Sequence, residues 1–264
     1  MIELFGAIGG AGPGRRGLSL SRVESAIDAA FKPAKLAAVA LAINSPGGSP
    51  VQSRLIHDAI RRRAEKKKTP VFAFIEDVGA SGGYMLALAG DEIYADASSI
   101  VGSIGVIAAS FGFQEAIARL GVERRVYTAG ESKSQLDPFR PEDPKDIERL
   151  RHILGDIHEE FIDLVKQRRG ERLKPAAETF SGAFWTADPA LAQGLIDGKA
   201  HLADFMKARF GENVKVKRIT PDRGSLLRRL AGGETSAGRM VAGVDAEALI
   251  GVLEERALWS RYGL

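Results

Sequence analysis

Short apolar, β-branched runs alternate along the chain with stretches whose apolar residues recur every three to four positions. The runs at residues 2–8, 37–43, 70–76, 92–95, 101–109 and 123–128 predict strands. Between them, Ser21-Arg22-Val23-Glu24 reads as a capping box opening a helix that ends near Phe31. Val51, Leu55, Ile56, Ala59 and Ile60 form an apolar stripe at helical spacing, and residues 113–120 predict a further helix with Gly121 at its C-cap. A long helix is predicted over 144–169, capped by Asp143 and closed by Gly170. A smaller α/β stretch follows: residues 179–185, helices near 189–193 and 202–210, and a strand over 214–219. After Pro221 the chain turns basic and glycine-rich (Arg223, Arg228, Arg229, Gly232, Gly233), a linker pattern, before a last predicted helix over 245–261. This alternation defines an α/β class with a mainly parallel sheet and flanking helices, whose sites gather at the carboxyl ends of strands. Residues 1–220 read as the folded domain and 221–264 as linker and helical tail.

Composition narrows the chemistry. Among 264 residues there are 37 basic and 34 acidic ones, 45% hydrophobic positions, 30 glycines, four histidines and no cysteine. Such a chain buries a core and is not disordered. The missing cysteines exclude a disulfide scaffold, a thiol nucleophile and cysteine-ligated metal. A net charge of +3 is a weak field, and no nucleic-acid partner is expected from it. No apolar run approaches the ~20 residues of a spanning helix, and residues 1–5 carry no secretory signal. The expected compartment is the cytoplasm, with peripheral membrane contact left open.

Two glycine-bearing loops carry the candidate chemistry. Val78-Gly79-Ala80-Ser81-Gly82-Gly83-Tyr84 follows a buried strand and precedes a helical run. A serine there projects its hydroxyl with little steric cover, and the next N–H groups can face an oxyanion. The same residues read equally well as a glycine-rich turn with an N-cap serine. Gly79-x-Ser81-x-Gly83 also fits a hydrolase elbow, which demands a histidine. His152 and His158 lie six residues apart on the long helix among charges, His201 stands alone, and no HGGG-type loop precedes them. Upstream, Asn44-Ser45-Pro46-Gly47-Gly48-Ser49 follows a strand and is either a plain turn or a second source of N–H donors.

Those two segments, followed by Gly102-Ser103-Ile104-Gly105, resemble the signal-peptide-peptidase-A family of serine proteases, family S49, which are Ser/Lys-dyad enzymes on the ClpP/crotonase-like fold. The resemblance runs from Ile2 to about Val216 and includes Gly130-Glu131-Ser132-Lys133, Phe184-Trp185-Thr186 and Gly194-Leu195-Ile196-Asp197. It implies Ser81 as nucleophile, Lys133 as general base, Gly48 and Gly82 as oxyanion-hole donors, and Ser103 beside the lysine amine. It also implies peptide substrates, a homo-oligomer, and neither metal nor organic cofactor.

A neutral lysine base requires burial, because a free lysine has a pKa of about 10.4. Lys133 is therefore expected in an apolar pocket walled by residues 100–109, with Glu131 and Asp137 turned away. Two patterns are set aside. Gly12-x-Gly14-x-x-Gly17 mimics a dinucleotide fingerprint but holds Pro13, Arg15 and Arg16 and opens no helix. The basic run at 61–68 suits a solvated helix C-terminus. The competing functions are an acyl-CoA-binding crotonase-type enzyme, a non-catalytic scaffold on the same fold, and a histidine-dependent hydrolase.

Overall fold

Three of the apolar runs become neighbouring parallel strands in the computed structural model, which describes residues 1–9, 17–220 and 256–264. These are β1 (Ile2–Phe5), β2 (Val39–Ser45) and β3 (Val71–Ala80). β4 (Glu92–Ala95) pairs with β3, and a short strand at Gly198–Lys199 pairs with β4. Leu4, Leu41, Ile43, Val71 and Ala73 are fully buried. Helices cover both faces of a parallel sheet, so its strands read as continuous apolar runs rather than alternating ones.

On one face, Phe72 and Phe74 meet Phe205, with ring centroids 5.1 and 5.4 Å apart. Phe205 and Met206 belong to a helix at Leu202–Phe210. Elsewhere α1 (Leu20–Phe31), α2 (Pro50–Lys67) and α3 (Gly82–Ala87) pack in succession.

β3 changes neighbours along its length. Its first half pairs with β4, and Val78–Ala80 pairs with β5 (Ile100–Gly102), which meets β6 (Phe184–Trp185) antiparallel. Buried Ser99 donates its hydroxyl to Ile75 O (3.1 Å) at the changeover. This carries β3 past its first partner and delivers the chain to Ser81.

Several expectations are corrected. The run at 101–109 yields only β5, and residues 123–128 form no regular structure. Residues 214–219 contribute a single bridge, Ile219 to Ile2. α1 starts at Leu20 with Ser19 in the cap position, so Ser21 does not open it. On α2 the buried set is Ser53, Ile56, His57, Ala59, Ile60 and Ala64, whereas Val51 and Leu55 are exposed. By contrast, the long helix α5 runs from Pro144 to Arg169 as its pattern predicts. The Gly12-Gly14 loop, the basic linker and residues 245–255 of the last predicted helix lie outside the described residues.

The described chain divides into two compact units: Met1–Ile104 with Ile162–Leu264, and Gly105–Phe161. The second contains α4 (Gln114–Arg119), a turn segment around 130–136, and the first turns of α5. Within it, Phe113 meets Phe111 and Phe139, and the Arg124 guanidinium lies 5.5 Å over the Phe139 ring. Ile107, Phe111, Leu120, Val122 and Tyr127 are all exposed.

α2 also buries His57, which is only 3% exposed. Burial pushes its imidazole down to about 4, against the opposing pull of the Asp58 carboxylate 2.8 Å from Nδ1. Between pH 6.5 and 4 the unfolded chain therefore takes a proton that the folded chain refuses, so stability falls as pH drops through that window. The loss at the acid end is expected to be about 3 kcal/mol. Urea unfolding at pH 7, 5.5 and 4.5 checks this: His57→Phe should flatten the slope, and an unchanged slope would contradict it.

Candidate active site

Ser81 stands at the junction that β3 prepares, immediately before α3. Its backbone has φ 53° and ψ −123°, a conformation that L-residues rarely adopt and that costs about 1–3 kcal/mol. The strain is held from both sides: Ser81 N–H donates to Gly102 O (2.8 Å), and Ser81 O accepts from Met85 N–H (3.0 Å). Its side chain makes no capping hydrogen bond. Of the two sequence readings, the N-cap role therefore fails, and the hydroxyl sits on a sharp strand-to-helix elbow.

The glycine loop after β2 meets this elbow. Gly47 has φ +98°, and a Cβ there would fall 2.8 Å from both Ser81 Cβ and Gly82 N. At Gly83 a Cβ would lie 2.3 Å from Ser45 O, so α3 could not approach β2 with any larger residue. Ile8 clamps the loop by donating to Gly47 O (2.8 Å) and accepting from Ser49 N–H (2.7 Å). The plain-turn reading holds as well, since Ser49 Oγ accepts from Gln52 N–H at the start of α2. Among the described residues, nothing accepts from the N–H groups of Gly48 or Gly82.

Ser103 lies just past β5, also at positive φ (53°), with its N–H on Ala183 O (2.7 Å). Its hydroxyl is 3.3 Å from the Tyr262 hydroxyl, and the Tyr262 ring packs edge-on against Phe184. Gly47, Gly48, Ser81, Gly82 and Ser103 thus all belong to the first unit.

Lys133 belongs to the second unit. It lies in a turn, with its N–H on Gly130 O (3.2 Å), and its side chain is exposed. The expected apolar wall is divided: Val101 and Ile104 are buried in the first unit, while Ile107 is 63% exposed. Asp137 is occupied elsewhere, accepting from Phe139 N–H and pairing with Arg124 at 3.1 Å. Those bonds hold its carboxyl below the ordinary range, the Phe139 N–H foremost.

Among the described residues, no hydrogen bond links a histidine to Ser81. His201 pairs with Asp96 (3.2 Å), and His152 is exposed on α5. Among the described residues no cluster of three or more His, Asp or Glu side chains could hold a metal. A cavity of about 610 Å³ in the first unit is lined by Glu76, Asp96, Ile100, Tyr262 and Leu264. Burial, with the Asp77 and Glu3 charges, raises Glu76 above the usual carboxylate range.

One supporting group has no local signature in the sequence. Tyr84, fully buried in α3, donates to Leu195 O (2.7 Å), in the segment whose Asp197 holds Arg169. Only the resemblance at Gly194–Asp197 singled that segment out.

An α/β sheet delivering a strained serine to a glycine-lined turn defines a hydrolase-like site, and the comparisons give it a family. The profile described as peptidase family S49 matches residues 63–217. The chain belongs to peptidase family S49. It is 32% identical to "Serine protease SPPA, chloroplastic" of Arabidopsis thaliana, over 84% of this chain and 33% of that protein. It is 30% identical to "Protease 4" of Haemophilus influenzae, over 61% of this chain and 26% of that one. A Brucella melitensis protein named "Na(+)/H(+) antiporter NhaA" is 50% identical across all of this chain, which spans 36% of its length.

Proposed function

We propose that the chain is a serine endopeptidase in which a Ser81/Lys133 dyad hydrolyses peptide bonds in apolar or unfolded segments. The observation that carries this is the strained, uncapped Ser81 between β3 and α3, facing a loop whose Gly48 N–H, like that of Gly82, has no acceptor among the described residues. Neutral Lys133 takes the Ser81 proton while Oγ attacks the carbonyl carbon. The N–H groups of Gly48 and Gly82 receive the oxyanion. Lys133 then protonates the leaving amine, and water repeats the cycle on the acyl-enzyme.

A bound substrate or a second copy of the chain would supply the water-excluded contact in which a lysine amine can act as a base. Ser103 orients the amine in that closed state. Exposed Ile107, Phe111, Leu120, Val122 and Tyr127 favour apolar peptides as substrates, a second copy of the chain, and peripheral contact with a membrane. The transporter name belongs to a Brucella protein of which this chain spans 36%, and among the described residues no helix is long and apolar enough to cross a membrane.

Covalent labelling of the full chain with a serine-directed fluorophosphonate tests the assignment. One adduct is expected, on the peptide containing Ser81, appearing in step with loss of hydrolysis of an apolar test peptide. An adduct on another serine, or full hydrolysis by the labelled chain, would overturn it.

A further inference from the structure

The basic run at 61–68 does more than end a helix. Lys66 and Lys67 lie exposed in the last turn of α2, as a solvated end requires. Arg61 and Arg62, however, join Arg54 and His57 of α2 and Arg168 of α5 around a cavity of about 280 Å³, all within the first unit. Asp58 and Glu65 are the carboxylates on its wall, and Asp91 pairs with both Arg61 (2.7 Å) and Arg168 (3.6 Å), so four guanidinium groups meet three acids. Arg54 is committed to Asp58, with Nε 3.1 Å from both carboxylate oxygens.

Among the described residues, two buried atoms in this wall have no hydrogen-bond partner: His57 Nε2 and Arg61 Nε. Arg61 uses its other nitrogens on Asp91 (2.7 Å), Ala89 O (3.2 Å) and Glu65 (3.5 Å). Arg168 spends Nε on Leu88 O and Nη2 on Gly90 O. The Asp58 carboxyl is kept ionised: burial raises it, but the bonds to His57 and Arg54 outweigh burial and lower it. An ionised carboxylate only accepts, so His57 Nδ1–H is the donor in that 2.8 Å bond. His57 Nε2 is then a bare lone pair, and Arg61 Nε–H an unused donor. An unmet buried donor and acceptor cost free energy until something pairs them.

The wall thus asks for a ligand that is anionic, accepts from guanidinium groups and donates one proton. A metal cation is repelled by the four arginines, and a carboxylate or sulfate carries no proton at neutral pH. Phosphate chemistry meets each requirement, since its partly protonated forms offer both P–O⁻ and P–OH. We infer that the cavity between α2 and α5 is a binding site for a phosphate group, with Arg61, Arg62 and Arg168 on its oxygens and His57 Nε2 accepting its hydroxyl. Free phosphate and a small phosphate monoester share this chemistry. The site lies in residues distinct from the Ser81 elbow and does not depend on the peptidase assignment.

Calorimetric titration of the full chain at pH 7 tests it, with inorganic phosphate, glycerol 3-phosphate or sulfate at one ionic strength set by chloride. Saturable one-to-one binding of inorganic phosphate or glycerol 3-phosphate is expected, with sulfate at least about tenfold weaker. Tighter glycerol 3-phosphate than inorganic phosphate would mark a monoester as the ligand, and the reverse order free phosphate. His57→Phe removes the acceptor and should cost about tenfold or more in affinity. Arg62→Ala, at an exposed position that does not threaten folding, should do the same. No saturable binding, sulfate binding as tight as phosphate, or affinity unchanged in Arg62→Ala would each overturn the inference.

Discussion

Replacing either member of the proposed Ser81/Lys133 dyad is expected to lower kcat on an apolar peptide by about a thousandfold or more, because a nucleophile and its base act as one unit. In Ser81→Ala the strained elbow remains but no Oγ can form the acyl-enzyme. In Lys133→Ala the hydroxyl remains but nothing takes its proton. Lys133→Arg should fail as completely, since a guanidinium stays charged at any working pH. A general base works only in its unprotonated form, so kcat/KM should rise with pH and then level off. The triple variant His152→Ala/His158→Ala/His201→Ala should keep turnover within about twofold, because His201 pairs with Asp96 and, among the described residues, no hydrogen bond joins these histidines to Ser81. Steady-state kinetics on the four proteins decide the matter. Retained turnover in Lys133→Ala would end the dyad reading, and loss in both Ser81→Ala and the histidine variant with Lys133→Ala active would restore a triad.

The legible parts of the fold are those whose side chains pack within one chain. β1, β2 and β3 are buried on both faces, so their runs of Ile, Leu, Val and Ala leave no other reading. α5 announces both of its ends, with Asp143 before it and Gly170 after it. The second unit misleads for the opposite reason. Tyr127 and Ile107 lie in runs that suggested strands, but they stand exposed in irregular segments and pair with no strand among the described residues. On α2 a stripe drawn from apolar residues alone overlooked His57, because a buried imidazole carries no apolar label. The elbow was visible as Gly-x-Ser-x-Gly, but its decisive property, φ 53° with an uncapped hydroxyl, is a backbone fact that no residue type encodes. Lys133 came only from resemblance, since a lysine in a polar turn has no local mark of catalysis.

Asp197→Ala is expected to cost about 3–5 kcal/mol, a large share of the roughly 5–15 kcal/mol that holds a domain together. The Arg169 side chain is 1% exposed and forks onto Asp197 at 2.8 and 3.0 Å, while its Nε donates to Gly194 O (2.6 Å). The same carboxylate accepts from Ile93 N–H (2.7 Å) and from Arg172 (3.1 Å). Removing it leaves a buried guanidinium without its counter-charge, which costs far more than the pair gains by forming. Asp197→Asn keeps the shape and part of the bonding and should fall between wild type and alanine. Burial raises the Asp197 carboxyl, but the Arg169 bonds outweigh it and hold it below the ordinary range. Its stabilisation is therefore complete above the unfolded carboxylate pKa of about 3.9 and is lost as pH falls through the lower folded value. Taking Arg169 away as well should recover part of the loss, because the stranded charge goes with it. Urea midpoints for Asp197→Ala, Arg169→Leu and the double variant measure this. Strict additivity would show the pair to be uncoupled, and a double variant more stable than Asp197→Ala would show that the unpaired cation carries the cost. The consequence reaches Ser81, the proposed nucleophile, through Leu195, whose carbonyl anchors the buried Tyr84 hydroxyl three residues further along the chain. Loosening Asp197 should therefore slow turnover in molecules that are still folded, with kcat falling more than KM rises.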